Sequence, residues 1–161
     1  MDKQELIAQL GRQLEATARS ALSARDAAAQ EAREGATPDE KREDARAAHQ
    51  LATLGAAQQR RAQQALAEVD ALARFKPGVM STIGVGAIVE IEDEETGEGR
   101  TFFLAPVGAG VTLTGPGGDG LLSVVTPASP IGRAVLGRRV GDVVDITVEG
   151  ELREWQISFV S

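Results

Sequence analysis

The chain has 161 residues, with 24 acidic and 17 basic side chains, one His, no Cys, no Tyr, four Phe and one Trp. The missing Cys excludes a disulfide framework, a thiolate zinc site and a Cys nucleophile, and a single His argues against a histidine-rich metal cluster and ordinary Ser-His-Asp chemistry. The opening MDKQELIAQLGR alternates polar and apolar residues with charges of both signs, which predicts neither a secretory signal nor a membrane span and points to a cytoplasmic protein.

Two halves differ in composition. Residues 1–76 hold 12 Lys/Arg, 12 Asp/Glu, 21 Ala and three Gly; residues 77–161 hold 5 Lys/Arg, 12 Asp/Glu and 15 Gly. Neither half has the basic excess that phosphate neutralisation requires, so contact with nucleic acid is expected to be local or to go through a partner. Ala favours helix and Gly opposes it by roughly 1 kcal/mol per residue. A helical domain over 1–76 and a strand-rich domain over 77–161 follow, separated by the breaker Lys76-Pro77-Gly78.

The first helix is predicted from about Lys3 to Arg33, with Leu6, Leu10, Leu14, Thr17, Ala21, Ala24 and Ala28 on one stripe and Gly35 as its C-terminal cap. Thr37-Pro38-Asp39-Glu40 reads as an N-cap, Pro at the first position and a capping-box Glu. The second helix runs to about Phe75. Its seam consists of Ala48, Gly55, Ala62, Val69 and Leu51, Gln58, Ala65, Leu72, with Leu54 and Leu66 alongside. So short a connection predicts an antiparallel hairpin, roughly 45–55 Å long at 1.5 Å per residue. Its free end, Glu34 to Arg42, is expected to lie far from the second domain.

In the second half, strands are predicted over 87–92, 100–104, 111–114, 121–125, 143–148 and 153–160. The acidic turn Asp93-Glu94-Glu95-Thr96-Gly97-Glu98-Gly99 closes the first hairpin and reads as a solubilising turn. The Gly-rich 115–120 turn lacks the Gly-Lys-Ser/Thr ending of a phosphate loop. Ser129-Pro130 opens a short helix that Gly137 stops. One antiparallel sheet with that helix packed on it is the expected fold, its core including Val140, Trp155, Phe159, Ile131 and Leu136.

Ser129-Pro130-Ile131-Gly132-Arg133-Ala134-Val135-Leu136-Gly137-Arg138-Arg139-Val140-Gly141-Asp142-Val143-Val144 closely resembles the "SPIARALLGKKVGDVV" segment of the Gre-type transcription elongation factors. Gly84-Val85-Gly86-Ala87-Ile88-Val89 and Glu95-Thr96-Gly97-Glu98 are similar to that family's "VGSTVTL…TGE". The resemblance implies an α+β protein: an N-terminal antiparallel helical hairpin (coiled coil), then an FKBP-like antiparallel sheet domain with one short helix. It also implies that the C-terminal domain docks at the rim of the RNA polymerase secondary channel while the hairpin threads toward the active site. Ile131, Arg133, Arg138 and Arg139 are the docking candidates.

In cleavage-competent members the hairpin tip resembles "D-x-x-E-N-A", whose acids help hold a second catalytic Mg²⁺. Glu40-Lys41-Arg42-Glu43-Asp44-Ala45 falls on this pattern, with Glu40 and Glu43 at the acids, Glu replacing Asp and Asp44 replacing Asn. Acids three residues apart on a first turn can present oxygens to one hard cation, yet two carboxylates are too few for Mg²⁺, so the polymerase must complete the site. The resemblance thus implies no stably bound cofactor, at most a Mg²⁺ shared with the polymerase, and indirect contact with nascent RNA.

The bland readings are specific too. Thr37 and Glu40 form a capping box, and Lys41, Arg42 and Arg46 pair with acids along the helix; Asp39, Asp44 and His49 are assigned solvent. The prolyl isomerase reading fails on composition: with no Tyr, one Trp near the C-terminus and Phe102-Phe103 shared with strand packing, the aromatic lining of a proline pocket is absent. No nucleophile and base pair is visible, so the chain is not expected to be an enzyme. A monomer suits the channel reading. The alternative is a structural protein that dimerises through its hairpin and uses the β domain for another partner.

Overall fold

A computed structural model describes residues 2–34, 41–115, 118 and 120–161, with the helix backbone alone at 41–44. Two long helices, α1 (Lys3–Glu34) and α2 (Lys41–Ala73), precede strands β1 (Ile88–Asp93), β2 (Gly99–Leu104), β3 (Thr112–Thr114) and β4 (Leu121–Val125). The short helix α3 (Pro130–Val135) and strands β5 (Val143–Val148) and β6 (Glu151–Val160) finish the chain. Helix gives way to sheet near the 76/77 composition boundary, but the compact units are cut elsewhere: Met1–Gly11 with Ala71–Ser161, and Arg12–Asp70.

In the helical unit Leu14, Ala18, Ala21 and Ala28 of α1 are buried, as are Ala62 and Ala65 of α2. Arg25 of α1 donates to the Gln59 side chain of α2, and Ala28 and Ala32 share a groove with Leu51 and Gly55, so the two helices run antiparallel. Ala18 enters the seam and Thr17 is only half-buried, which keeps the Thr17 hydroxyl within reach of water. Leu54 and Leu66, expected beside the seam, are 48% and 49% exposed. They stand twelve residues apart, about 120° around the helix, on opposite flanks of a seam that only one partner helix covers. Ala48, expected within the seam, is exposed. Gly35, Thr37, Pro38, Asp39 and Glu40, the expected cap and restart, lie outside the described residues.

In the other unit a six-stranded sheet has the order β3-β4-β2-β1-β6-β5. Four neighbouring pairs are antiparallel; β2 and β4 are parallel, with Phe103 beside Val124, so the sheet is mixed where the sequence pattern suggested purely antiparallel. The reason is the path after β2. Residues 105–111 step past one strand position, roughly 9–10 Å, before β3 returns along the outer edge and β4 fills the gap.

One sheet face carries the main core: Val89, Ile91, Phe102, Leu104, Val144, Ile146, Trp155 and Ile157, covered by Val135 of α3 with Ile83 and Ala87. The opposite face carries Ile88, Phe103, Val124, Leu113 and Leu122, all buried. The start of α1 belongs to this unit, and its Leu6 and Leu10 are fully buried. Each such burial stabilises by about 1.5–3 kcal/mol. Gly108, at φ +86, lets the chain come this close: a Cβ there would lie 2.7 Å from Leu10 Cδ1. Lys3 Nζ donates to the main-chain oxygens of Gly78 (2.6 Å) and Ser161 (2.7 Å). The Gln9 side-chain amide donates to Thr114 O and accepts from Thr114 N, at 3.0 and 3.1 Å, satisfying both outward main-chain groups of Thr114 on the edge strand β3.

Three residues read as core are exposed instead: Val140 at 57%, Leu136 at 45% and Phe159 at 37%. Leu136 is the C-cap of α3, past its last buried turn, and Val140 lies in the connection to β5. For Phe159 the cause is a register shift: Ile157 opposes Ile91 but Phe159 opposes Glu90, so the bulge returns Val160, not Phe159, to the core face. Trp155 and Ile131 do pack with the core, Trp155 fully buried and Ile131 partly.

Candidate functional site

The segment Ser129 to Asp142 is built on a braced scaffold. Ser129 caps α3: its Oγ accepts from Gly132 N at 3.1 Å and donates to Thr126 O at 2.7 Å. After the helix the chain pairs with residues 82–83. Ile83 N donates to Arg138 O, Gly137 N donates to Ile83 O, and Thr82 bridges Arg139. Asp142 Oδ2 accepts from Arg139 N at 2.9 Å, and Arg139 Nε donates to Thr82 Oγ1 at 3.2 Å.

The scaffold carries exposed Arg133, Arg138 and Arg139 together with exposed Leu136 and Val140, while Ile131 is half-buried against the core. Among the described residues none of these three arginines joins an ion pair, whereas the other two arginines of residues 77–161, Arg100 and Arg153, are engaged by Glu98, Glu149, Glu151 and Asp93. Arg133, Arg138 and Arg139 thus stand exposed and without an ion pair on one short braced stretch, 131–140. Leu136 and Val140, read in the sequence as core, are part of it.

A second feature lies where β1 turns into β2. Asp93 is buried; its Oδ1 accepts from Glu95 N at 2.8 Å and Thr96 N at 3.2 Å, and its Oδ2 faces Arg153 at 3.4 Å. The Glu95 amide most of all, then Thr96 and Arg153, hold this carboxyl below its ordinary pKa against the opposing effect of burial. Asp93 thus organises a turn that the sequence suggested was only solubilising. The signal was present in the Asp-Glu-Glu-Thr-Gly order, since an Asp side chain that bonds the amides two and three residues on makes an Asx turn. Asp93, Glu95, Thr96 and Glu151 to Glu154 line an open cleft of about 560 Å³.

Of the tip acids, Glu40 lies outside the described residues, and Glu43 is placed only as a backbone position in the first turn of α2. Arg46 and His49 are exposed. No cluster of three or more metal-ligating side chains occurs among the described residues, and no helix there is long and apolar enough to cross a membrane.

The braced segment, the mixed sheet and the paired helices define a class. Residues 78–161 match the family model of the C-terminal domain of transcription elongation factors GreA/GreB, and the chain belongs to that family. The Thermus aquaticus transcription inhibitor protein Gfh1 is 31% identical over 83 residues, covering 52% of this chain and 49% of that protein; Gfh1 of Thermus thermophilus gives the same figures. The chain thus spans about half the length of the curated relatives it matches. Among solved structures, Gfh1 of Thermus thermophilus aligns over 96% of this chain and 94% of its own at 24% identity and TM-score 0.43. Thermus aquaticus Gfh1 aligns over 95% and 92% at 28% identity and TM-score 0.42.

Proposed function

We propose that this Gre-type transcription factor binds RNA polymerase through the Arg133, Leu136, Arg138, Arg139 and Val140 face. The hairpin would then enter the secondary channel and modulate initiation or elongation. The observation that supports this reading is that, among the described residues, Arg133, Arg138 and Arg139 join no ion pair while the other arginines of residues 77–161 do, and that they share one braced stretch with exposed Leu136 and Val140. Such a surface suits an acidic and apolar partner element.

At the tip, Glu40 and Glu43 would offer two carboxylates to a Mg²⁺ whose remaining ligands come from the polymerase and from RNA phosphate. The chain does no chemistry alone in this reading. Asp44 stands where cleavage-competent tips carry Asn, and Glu40 where they carry Asp. The relatives that match are named transcription inhibitors. Both facts favour a factor that occupies the channel and stimulates RNA cleavage weakly or not at all. A monomer in the cytoplasm fits this role. Leu54 and Leu66 lie on opposite flanks of α2 rather than on one stripe.

The test is binding to purified polymerase followed by a cleavage assay on backtracked complexes. Binding with slowed transcript extension is the expected result. Absence of binding overturns the reading, and RNA shortening that survives Glu40→Ala with Glu43→Ala overturns the metal role alone.

A further inference from the structure

The two edges of the sheet are treated differently. At β3 the chain covers part of its own edge: Thr112 and Thr114 turn their main-chain groups outward, and Gln9 takes both of those on Thr114. At β5 the ladder to β6 begins with Ile157 N donating to Asp142 O. Antiparallel pairing bonds every second residue, so Val144, Ile146 and Val148 face β6 while the N–H and C=O of Val143, Asp145 and Thr147 point away from the sheet. Among the described residues no hydrogen bond from outside the sheet ends on these groups. All three residues are exposed.

Their side chains share the sheet face opposite Val144 and Ile146. There Asp145 stands directly across from Glu154, with Glu92 next to Gln156 on the neighbouring strand. Like charges directly opposed across strands are destabilising. Yet no described cation pairs with Asp145, Glu154 or Glu92. A second copy of this edge would add another Asp145 to the same crowd, so the acids disfavour self-pairing. An incoming strand with Lys or Arg at alternate positions would instead satisfy the outward main-chain groups and bring its cations beside Asp145 and Glu154.

We propose that the open edge of β5 receives an extended basic segment of a partner protein, added to the sheet as a seventh strand next to β5. The main-chain ladder supplies affinity, and the Asp145 and Glu154 pair selects the charge of every second side chain. This site uses none of Arg133, Arg138 or Arg139, although β5 follows directly on their segment and packs against α3.

The experiment uses the full chain and a synthetic peptide of alternating Lys and Val, followed by residue-resolved amide exchange and a binding titration. The Val143, Asp145 and Thr147 amides exchange rapidly in the free protein and are expected to slow by about tenfold or more when peptide is bound. Asp145→Asn with Glu154→Gln should weaken binding by about tenfold while leaving the melting temperature unchanged or raised. A peptide N-methylated on its ladder-forming amides should not bind. Failure of the Lys/Val peptide to bind, equal binding by a Glu/Val peptide or by the N-methylated one, or binding without protection at these amides overturns the proposal. Protection that grows with protein concentration in the absence of peptide assigns the edge to a second copy and overturns it as well.

Discussion

Lys3, one turn from the start of the chain, donates its ammonium to the main-chain oxygen of Ser161 at 2.7 Å, and the same nitrogen holds Gly78 O at 2.6 Å. One side chain therefore ties the beginning of α1, the segment after α2 and the end of β6. It is also a buried cation, and burial lowers its pKa from the ordinary lysine value. Its retention there is explained by the two carbonyls it satisfies, since a charge without such partners would not be tolerated.

Replacing Lys3 by Met keeps the volume but leaves the Gly78 and Ser161 oxygens without this donor. Hydrogen bonds to charged groups contribute about 1.5–3 kcal/mol, partly offset here by the cost of burying the ammonium, so Lys3→Met is expected to destabilise by about 2 kcal/mol. Urea unfolding measures it. An unchanged midpoint would mean that the clasp contributes nothing net.

Leu10 and Gly108 make a coupled pair. Gly108→Ala introduces a Cβ into the space of Leu10 Cδ1 at a positive φ, with an expected cost of about 1–3 kcal/mol. Leu10→Ala alone should cost about 2–5 kcal/mol through the void it leaves. In a double-mutant cycle Gly108→Ala should cost less when Leu10 is already Ala, because the clash is gone and only backbone strain remains. Strict additivity would show that the two do not touch in solution.

The Asp93 carboxyl gives the fold an acid-sensitive turn. Its folded pKa lies below the unfolded value, so the unfolded chain binds more protons as pH falls, and the stabilisation is present above about pH 4 and lost as pH drops through the folded pKa. Asp93→Asn should lower the urea midpoint at pH 7, and the gap from the parent should shrink steadily below about pH 4. A gap that stays constant to pH 2 would show that the charge of Asp93 is not what holds the turn.

On the proposed docking face, Arg133→Glu with Arg138→Glu reverses two charges that touch no described acid. Polymerase affinity should fall by about tenfold or more, with a steeper dependence on salt in the parent than in the variant. Thermal stability should be almost unaltered, because both side chains are exposed. Affinity unchanged by this pair would move the docking surface elsewhere.

Edge bonding by Gln9 is separately measurable. Gln9→Leu removes both bonds to Thr114, and the Thr114 amide should then exchange faster by about tenfold while the core amides of β1 keep their rates. Equal exchange in the two proteins would show that β3 is protected by something other than this side chain.

Much was legible in the sequence because it is encoded by near neighbours. Ala richness, the Pro77-Gly78 breaker, the Ser129-Pro130 cap and strand alternation are local, and α1, α2, α3 and all six strands appear close to where these signals put them. The segment that carries the family likeness was also legible, as a continuous run from Ser129 to Val144.

What the tertiary structure alone decided depends on residues far apart in the chain. The parallel β2 and β4 pair follows from a strand inserted late into a gap, and no local pattern records the order in which strands fill a sheet. Phe159 became exposed because one bulge in β6 exchanged the faces of the residues beyond it, and Leu136 and Val140 because a six-residue helix ended before it could bury them. Leu6 and Leu10 looked like the first turns of a hairpin seam, yet they are buried in the sheet-bearing unit, Leu10 against Gly108, while Gln9 bonds Thr114 and Lys3 clasps Ser161. The physical reason is common to all of these: propensity and capping act over a few residues, whereas register, burial and edge pairing are settled by which distant surfaces happen to meet.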